Sequence, residues 1–215
     1  MSFQVMLEQM ASGFAQTCLI FALTLVISLP LGFVVYFGRV CKIKPVSWLV
    51  KIYISIMRGT PLMLQLLIWY FGPYYLWGMN IGGYKFTAII LGCSLNYAAY
   101  FAEIYRSGIE SIPQGQYEAA QLLGYGKRQT FMKIILPQMV KIVLPSVTNE
   151  VITLVKDTSL VYSVSYIEMF AVAKQIAAAQ TTVIPFFIAG VFYYVFNYVV
   201  AWVMERIEKK LDYYR

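Results

Sequence analysis

Glu150, Thr153 and Asp157 stand three and four residues apart in a stretch that is otherwise mostly apolar. Steps of three and four residues bring side chains to one face of an α-helix, so the two carboxylates share a face. Paired carboxylates can transfer protons in an enzyme or bind a cationic solute. No nucleophile elbow, metal-ligand cluster or further carboxylate motif accompanies them in the sequence. The pattern therefore favours binding, with an acid/base enzyme as the alternative.

A second polar stripe lies earlier in the chain, where Asn96, Tyr100 and Glu103 recur at i, i+4 and i+7. We hypothesise that the two stripes line a solute pathway. In it, the two carboxylates of the first stripe would receive the solute's ammonium or a cationic side chain, and Lys156 would receive its carboxylate. The alternative is structural hydrogen bonds or ion pairs between helices, for instance of Lys156 with Glu103 or Asp157.

The composition excludes several kinds of chemistry. The chain has no histidine, which rules out Ser/His/Asp triads and His-ligated zinc. Its three cysteines, Cys18, Cys41 and Cys93, are far apart, which favours buried thiols over disulfides or metal ligands. The phosphate loop GxxxxGK[ST] is absent, because the nearest string, residues 124–128, has neither its glycine spacing nor its Ser or Thr. We expect no catalytic residue, metal or cofactor in this chain.

The elements that position the polar stripes are expected to be membrane helices. Of the 215 residues, 60% are hydrophobic and only 13% are charged, which is too apolar for an ordinary soluble domain. A helix needs about 20 mostly apolar residues to cross the hydrocarbon. The uncharged runs predict an all-α integral membrane protein, one domain over residues 1–215, with about five transmembrane helices. The predicted spans are residues 17–37, 61–77, 86–104, 142–160 and 185–204.

The basic residues predict the orientation. Most of the 17 Lys and Arg residues fall in residues 39–58, 106–141 and 206–215. Because positively charged flanks stay on the cytoplasmic side, we expect the N-terminus outside and the C-terminus in the cytoplasm. The basic residues are separated by long uncharged stretches rather than forming one stripe, so nucleic acid is not an expected partner.

Three stretches near or between the predicted spans have sequences that predict a particular local structure. Residues 1–12, with Phe3 and Met6 among them, suit a short helix lying in the membrane interface. Thr60 is placed to cap the second span with Pro61 at its first position, and a proline kink within one longer helix is the alternative. Residues 163–182 are polar and rich in alanine, so we expect a helical hairpin or re-entrant segment there rather than a sixth crossing.

The most specific pattern lies between the third and fourth spans, in residues 107–137. It reads Glu118-Ala119-Ala120, three residues, Gly124, nine residues, Ile134, one residue, Leu136-Pro137. This order and spacing resembles the EAA loop of the permease subunits of ATP-binding-cassette (ABC) importers. The resemblance implies that the segment forms a coupling helix that contacts an ATPase subunit. We expect Glu118 in the first helical turn, where its charge is favourable, and Gly124 ending the helix with a positive φ.

Further stretches resemble the polar amino-acid uptake branch of these permeases. They are residues 58–62 (RGTPL), 102–109 (AEIYRSGI), 115–120 (GQYEAA) and 154–160 (LVKDTSL). The similarity runs from about residue 15 to 210 and implies the type I ABC importer permease fold. It also implies translocation of polar amino acids into the cytoplasm by alternating access. The carboxylates of the first polar stripe favour basic amino acids among them.

The resemblance implies partners as well. They are two ATPase subunits that hold ATP and Mg, a second permease subunit, identical or a sibling, and an extracytoplasmic solute-binding protein. The assembly would lie in the bacterial inner membrane, with this chain as a multi-pass subunit that is not itself an enzyme. The alternative from another class is an ion-coupled secondary carrier or channel, although the two related halves that carriers often have are not visible here.

Overall fold

The computed structural model describes residues 2–211. These residues fold into helices joined by short connections. The α-helices are α1 Phe3–Arg39, α2 Lys44–Gly59, α3 Leu62–Trp77, α4 Lys85–Glu110, α5 Gln114–Leu122, α6 Lys127–Thr130, α7 Leu136–Asp157, α8 Met169–Gln180 and α9 Ile184–Leu211. A π-helix, Phe131–Ile135, precedes α7, and a 3₁₀-helix, Thr158–Val164, follows it.

The number of candidate membrane spans agrees with the sequence. Within residues 2–211, four helical runs are long and apolar enough to cross a bilayer, and the count is up to five if α2 and α3 form one broken span. The axes of α2 and α3 are bent by 113°. The fourth predicted span belongs to a helical run of 38 residues, Lys127–Val164. Leu136 and Pro137 therefore lie inside a helix rather than in a loop.

The N-terminal residues do not form a separate interfacial helix, so that prediction is wrong. α1 is continuous from Phe3 to Arg39. Met6 and Met10 are buried in a cluster with Met169 and Val172 of α8. Contact with α8 thus buries Met6 and Met10, whereas Phe3 stays exposed.

α4 is the central helix of the bundle, since it contacts α1, α2, α3 and α7. Its packing on α1 uses both apolar and polar contacts. The rings of Phe33 and Tyr105 stack with centroids 4.0 Å apart, and the Tyr105 hydroxyl donates to the carbonyl oxygen of Leu29 at 3.1 Å. The hydrogen bond satisfies the tyrosine hydroxyl inside the apolar interface.

Residues 163–182 contain the end of the 3₁₀-helix and one α-helix, α8, rather than a helical hairpin. The twelve residues of α8 are too few to cross a bilayer, so the described residues make no sixth crossing here. Glu168 precedes α8, is fully buried, and accepts hydrogen bonds from the backbone nitrogens of Phe170 and Ala171, each at 2.8 Å. It also accepts from the Tyr193 hydroxyl of α9 at 3.0 Å. This carboxylate therefore caps α8 and joins it to α9.

Candidate functional site

The junction of α2 and α3 is a sharp elbow, and Thr60 does not cap α3 as the sequence predicted. Thr60 is the C-terminal cap of α2, and its hydroxyl donates to the carbonyl oxygen of Ile56 at 2.8 Å. Pro61 precedes the first residue of α3. The sequence allowed either a span capped by Thr60 or one longer helix with a proline kink. The structure has neither, because two separate helices meet there at 113°. The chain can break here because the carbonyl groups of Met57 and Thr60 accept hydrogen bonds from side chains outside α2.

Those partners are the side-chain amides of Gln65 and Asn96, of which Gln65 was not singled out from the sequence. Gln65 of α3 donates to the carbonyl oxygens of Met57 and Thr60 at 3.0 and 3.2 Å. Asn96 of α4 donates to the Met57 carbonyl at 2.9 Å and to the Gln65 side-chain oxygen at 2.9 Å. Broken helices inside a membrane protein need such partners, because unpaired backbone groups are costly there. Asn96 is therefore occupied in holding the elbow.

The elbow forms one wall of a cavity of about 340 Å³, which we call the upper cavity. Its walls come from the elbow, α4, α7 and the 3₁₀-helix. The lining residues are Thr60, Pro61, Leu62, Asn96, Tyr97, Tyr100, Glu150, Thr153, Asp157 and Leu160. All residues of the two predicted polar stripes except Glu103 thus face one space, and Lys156 does not line it.

The two carboxylates of the upper cavity differ in their surroundings. Asp157 accepts a hydrogen bond from the Tyr97 hydroxyl at 2.7 Å. Thr153 uses its hydroxyl on the carbonyl oxygen of Asn149, one turn earlier in α7, at 2.9 Å. Glu150 has no hydrogen bond or ion pair with any residue in 2–211. Glu150 is therefore the carboxylate that is free to receive a cationic group.

A second space, the inner cavity, adjoins the upper one and has a volume of about 330 Å³. Tyr100 and Glu150 line both cavities and so stand between them. The other lining residues are Arg58, Glu103, Ile104, Arg106, Ser107, Gly108, Ile142, Val143 and Ser146. The inner cavity differs from the upper one in containing arginines.

Glu103 lies among three arginines, so the ion-pair alternative describes it, although with partners other than Lys156. Its carboxylate pairs with Arg39 of α1 and with Arg106 of α4, the latter at 3.1 Å. Arg58 of α2 is farther away, at 3.7 Å, and makes no hydrogen bond to Glu103. Only 13% of the Glu103 side chain is exposed. Glu103 therefore ties the ends of three helices together.

Lys156 lies apart from these cavities. Its side chain is exposed and borders a different space, with Ser159, Phe170 and Tyr193 among its neighbours. The structure therefore does not bring Lys156 to Glu150, and the cations that share a cavity with Glu150 are Arg58 and Arg106. The sequence showed Arg58 only as part of a motif, because helical spacing on α7 cannot reveal a cation contributed by α2.

The EAA pattern begins in α5 and the turn after it, and its last residues lie in the π-helix and at the start of α7. Glu118 is the fifth residue of α5 and lies beyond its first turn, so its predicted position is wrong. The expected positive φ of Gly124 at the end of the helix is confirmed, since its φ is +78°. Its nitrogen donates to the carbonyl oxygen of Gln121, and the nitrogen of Tyr125 donates to that of Ala120, each at 3.0 Å. These two bonds form a Schellman motif, in which a glycine with positive φ ends the helix.

Some residues of the EAA pattern face away from the bundle, and others pack against it. Glu118 and Ala119 are exposed, whereas Ala120 is buried. Ile134 and Leu136 pack against the main core, and Pro137 is exposed. Pro137 lies two residues after the end of the π-helix, and its missing N–H suits that local widening of the helix. The inward residues thus fix α5 to the bundle while its other side is open.

Two leucines at the end of α5 enlarge the open side. Leu122 is 89% exposed and Leu123 is 75% exposed. Tyr117, on the opposite side of α5, packs against the main core, and partial burial raises its pKa. Adjacent leucines with this exposure form an apolar patch of the kind that marks a protein interface.

No metal centre can be assembled from the described residues, in which no three His, Cys, Asp or Glu side chains are grouped closely enough to hold an ion. The residues at the two cavities offer charged and hydrogen-bonding groups and no nucleophile paired with a base. Such an arrangement can bind a polar solute.

Comparison with known proteins gives a consistent result. A family model described as "Binding-protein-dependent transport system inner membrane component" matches residues 28–213. The arginine transport system permease protein ArtQ of Bacillus subtilis (strain 168) is 38% identical over 200 residues, which cover 93% of this chain and 90% of that protein. The L-cystine transport system permease protein TcyB of the same organism is 32% identical over 95% of this chain and 87% of its own length.

Solved structures agree as well. A crystal structure of an amino acid ABC transporter with histidines has a chain that superposes with a TM-score of 0.87 at 30% identity, covering 98% of this chain and 99% of that one. A chain of the MetNI methionine ABC transporter in an inward-facing conformation has a TM-score of 0.75 at 21% identity, with the same coverage. The second likeness concerns the fold alone.

Proposed function

Because the chain belongs to the family of binding-protein-dependent transport system inner membrane components, we propose that it is the membrane subunit of an ATP-driven importer of polar amino acids. The observation that carries the proposal is the open side of α5, which presents Glu118, Ala119 and the two exposed leucines away from the bundle. A surface of this kind suits the docking of another protein. The absence of a phosphate loop from the sequence agrees with ATP hydrolysis on that partner.

The proposed complex contains two ATPase subunits, which hold ATP and Mg, a second permease subunit and an extracytoplasmic solute-binding protein. The proposed orientation has the N-terminus outside and the C-terminus in the cytoplasm of a bacterial cell, with the chain in the inner membrane. The distribution of Lys and Arg supports this orientation, because it brings α5 to the side on which ATP is available.

We infer a mechanism of alternating access. Movement of the ATPases would shift α5 as a rigid element, because its inner side is held to the bundle by Ala120 and its end is fixed by the turn at Gly124. ATP and the binding protein must favour the outward-open state for transport to be driven, and hydrolysis must restore the inward-open state.

The proposed solute class is polar amino acids, with basic ones favoured. Glu150 and Asp157 give the upper cavity two carboxylates, and its lining contains no Lys or Arg. Relatives are named for the transport of arginine, L-cystine and glutamine. The proposed solute-binding residues are therefore Glu150, Asp157, Thr153 and Tyr100, while Asn96 and Glu103 act on the surrounding helices.

Uptake into proteoliposomes tests the proposal. The complex is purified through a tag on this chain, reconstituted, and assayed for amino-acid uptake and ATP hydrolysis. We expect co-purification of an ATPase, uptake that requires ATP, and loss of most uptake in Glu150→Gln. Glu205→Gln, which removes an exposed carboxylate near the end of α9, is the matched control and should behave as wild type. Wild-type uptake in Glu150→Gln would remove Glu150 from the pathway.

A further inference from the structure

Arg58 is a cation whose hydrogen-bonding capacity is unused. A guanidinium carries five N–H donors, yet Arg58 makes no hydrogen bond to any residue from 2 to 211. Its contacts are a cation–π interaction with the Tyr100 ring, at 5.3 Å from the centroid, and the 3.7 Å approach to Glu103. Arg58 therefore faces the inner cavity with donors available to a ligand.

The other arginine that lines the inner cavity is not available in this way. Arg106 donates to Glu103 from two nitrogens, at 3.1 and 3.2 Å, and it also pairs with Glu110. Arg39 pairs with Glu103 as well and does not line the cavity. The lining of the upper cavity has no Lys or Arg. Along the two cavities, Arg58 is thus the cation that can accept a new anionic partner among the described residues.

Glu150 is the complementary anion. It lines the inner cavity with Arg58, and the described residues supply it with neither a hydrogen bond nor an ion pair. The two side chains do not pair with each other, since the described residues contain no Arg58–Glu150 ion pair. Arg58 is paired only loosely, with Glu103 at 3.7 Å, and keeps its N–H donors unused, while Glu150 has no partner within ion-pair distance among the described residues. A cavity that holds such a cation and such a carboxylate is matched by a ligand carrying both charges.

We propose that Arg58 and Glu150 together form the site for the zwitterionic main-chain groups of an α-amino acid, with Arg58 binding the carboxylate and Glu150 the ammonium. The inference rests on the proposed transport function and makes it more specific. A guanidinium can bind a carboxylate through two parallel hydrogen bonds, which gives direction as well as charge. The rest of the solute then extends into the upper cavity, where Asp157 and Tyr97 lie.

The elbow explains why Arg58 is held in this place. Arg58 follows Met57, whose carbonyl oxygen accepts from both Gln65 and Asn96. The backbone next to Arg58 is therefore fixed from two sides, and the Tyr100 ring supports its guanidinium. A fixed backbone and a guanidinium held against an aromatic ring lower the entropy that Arg58 loses when it binds a ligand.

Ligands that lack one charge test the assignment. The intact complex is purified through a tag on this chain and placed in nanodiscs. Equilibrium binding is measured with radiolabelled L-cystine and the twenty protein amino acids, and the ligand that binds best becomes the probe. Its carboxamide, which has no carboxylate, and its N-acetyl derivative, which has no ammonium, are used as competitors.

We expect the wild-type complex to bind the amino acid at least about tenfold more tightly than either derivative, because each derivative loses one charged hydrogen-bonding partner. Arg58→Gln should lose the preference for acid over carboxamide and keep the preference over the N-acetyl derivative. Glu150→Gln should do the opposite. Arg58→Lys should lower the acid-to-carboxamide ratio partly, because lysine lacks the planar fork. Lys51→Gln removes an exposed charge from the same helix and should match wild type.

The assignment is overturned if no amino acid binds, if wild type does not distinguish acid from carboxamide, or if Arg58→Gln keeps that preference. Should Arg58→Gln fail to assemble, an unchanged ratio in Arg58→Lys overturns it equally. The proposed function fails separately. A complex that couples ATP hydrolysis to uptake but ignores the carboxylate removes only the Arg58 assignment. Arg58-dependent binding without any ATPase removes the transport mechanism and keeps the assignment.

Discussion

The side-chain nitrogen of Asn96 lies 2.9 Å from the carbonyl oxygen of Met57, so the middle of α4 holds the last turn of α2. This hydrogen bond sets the direction in which α2 ends, and α3 leaves from there at 113°. Asn96 lines the upper cavity, but its amide is used by the backbone of the elbow. Its main effect should therefore be on stability.

Asn96→Ala should lower the free energy of unfolding by about 1 to 2 kcal/mol, because the partly buried Met57 carbonyl loses one of its two donors. Thermal unfolding of the detergent-solubilised protein measures this change. Asn149→Ala, at an exposed position of α7, is the control and should leave the melting temperature unchanged. Unchanged stability combined with weaker amino-acid binding in Asn96→Ala would make Asn96 a ligand contact instead.

The sequence predicted the part of the site that lies along single helices. The spacing of Glu150, Thr153 and Asp157 placed them on one face, and they do line one cavity. The partners across helices could not be predicted in this way. Lys156 was paired with the carboxylates because it is close in sequence, yet its position on α7 turns it towards α8 and α9. Arg58 shares their cavity only because the elbow turns α2 towards α4.

The fold was more predictable than the site because long uncharged runs mark membrane helices regardless of how they pack. The boundaries were less predictable. Met6 and Met10 are apolar, and α8 rather than the membrane surface covers them. Gln65 holds the elbow but gave no signal, since a single glutamine in an apolar run has no periodicity. These details depend on which helices meet, which local sequence does not contain.

Gly108 allows α4 and α7 to approach closely. A Cβ at this position would lie 2.1 Å from the Cγ1 atom of Val143. Gly108→Ala should therefore destabilise the protein by about 1 to 3 kcal/mol, because the interface would be overpacked. Adding Val143→Ala should restore part of the loss, and thermal unfolding of the single and double variants measures it. Gly190→Ala meets nothing within 4 Å and should be neutral. A tolerated Gly108→Ala would contradict this close contact.

Gly124→Ala tests the turn that ends α5. Its φ of +78° is costly for residues with a Cβ, so the substitution should strain the turn by roughly 1 kcal/mol and shift α5. We expect reduced uptake per ATP hydrolysed in proteoliposomes. Gly126 lies two residues further on with a φ of −70°, so Gly126→Ala is the matched control and should transport normally. Equal coupling ratios in the two variants would show that the positive φ is unimportant.

Leu122→Ser and Leu123→Ser should weaken the contact with the ATPase without affecting the folding of this chain. Both side chains are exposed, so their replacement removes no internal packing. The measurement is the amount of ATPase that co-purifies, which we expect to fall by several-fold in the double variant, together with an unchanged melting temperature. Leu76→Ser, at an equally exposed position near the end of α3, should retain the ATPase. Full retention in the double variant would place the interface elsewhere.

The dependence of transport on the ATPase is the most direct test of the whole account. Amino-acid accumulation is measured in proteoliposomes that contain this chain, its second permease subunit and the solute-binding protein, with and without the ATPase. We expect accumulation only when the ATPase, ATP and Mg are all present, and none with a proton or sodium gradient alone. Accumulation driven by an ion gradient in the absence of the ATPase would contradict the account.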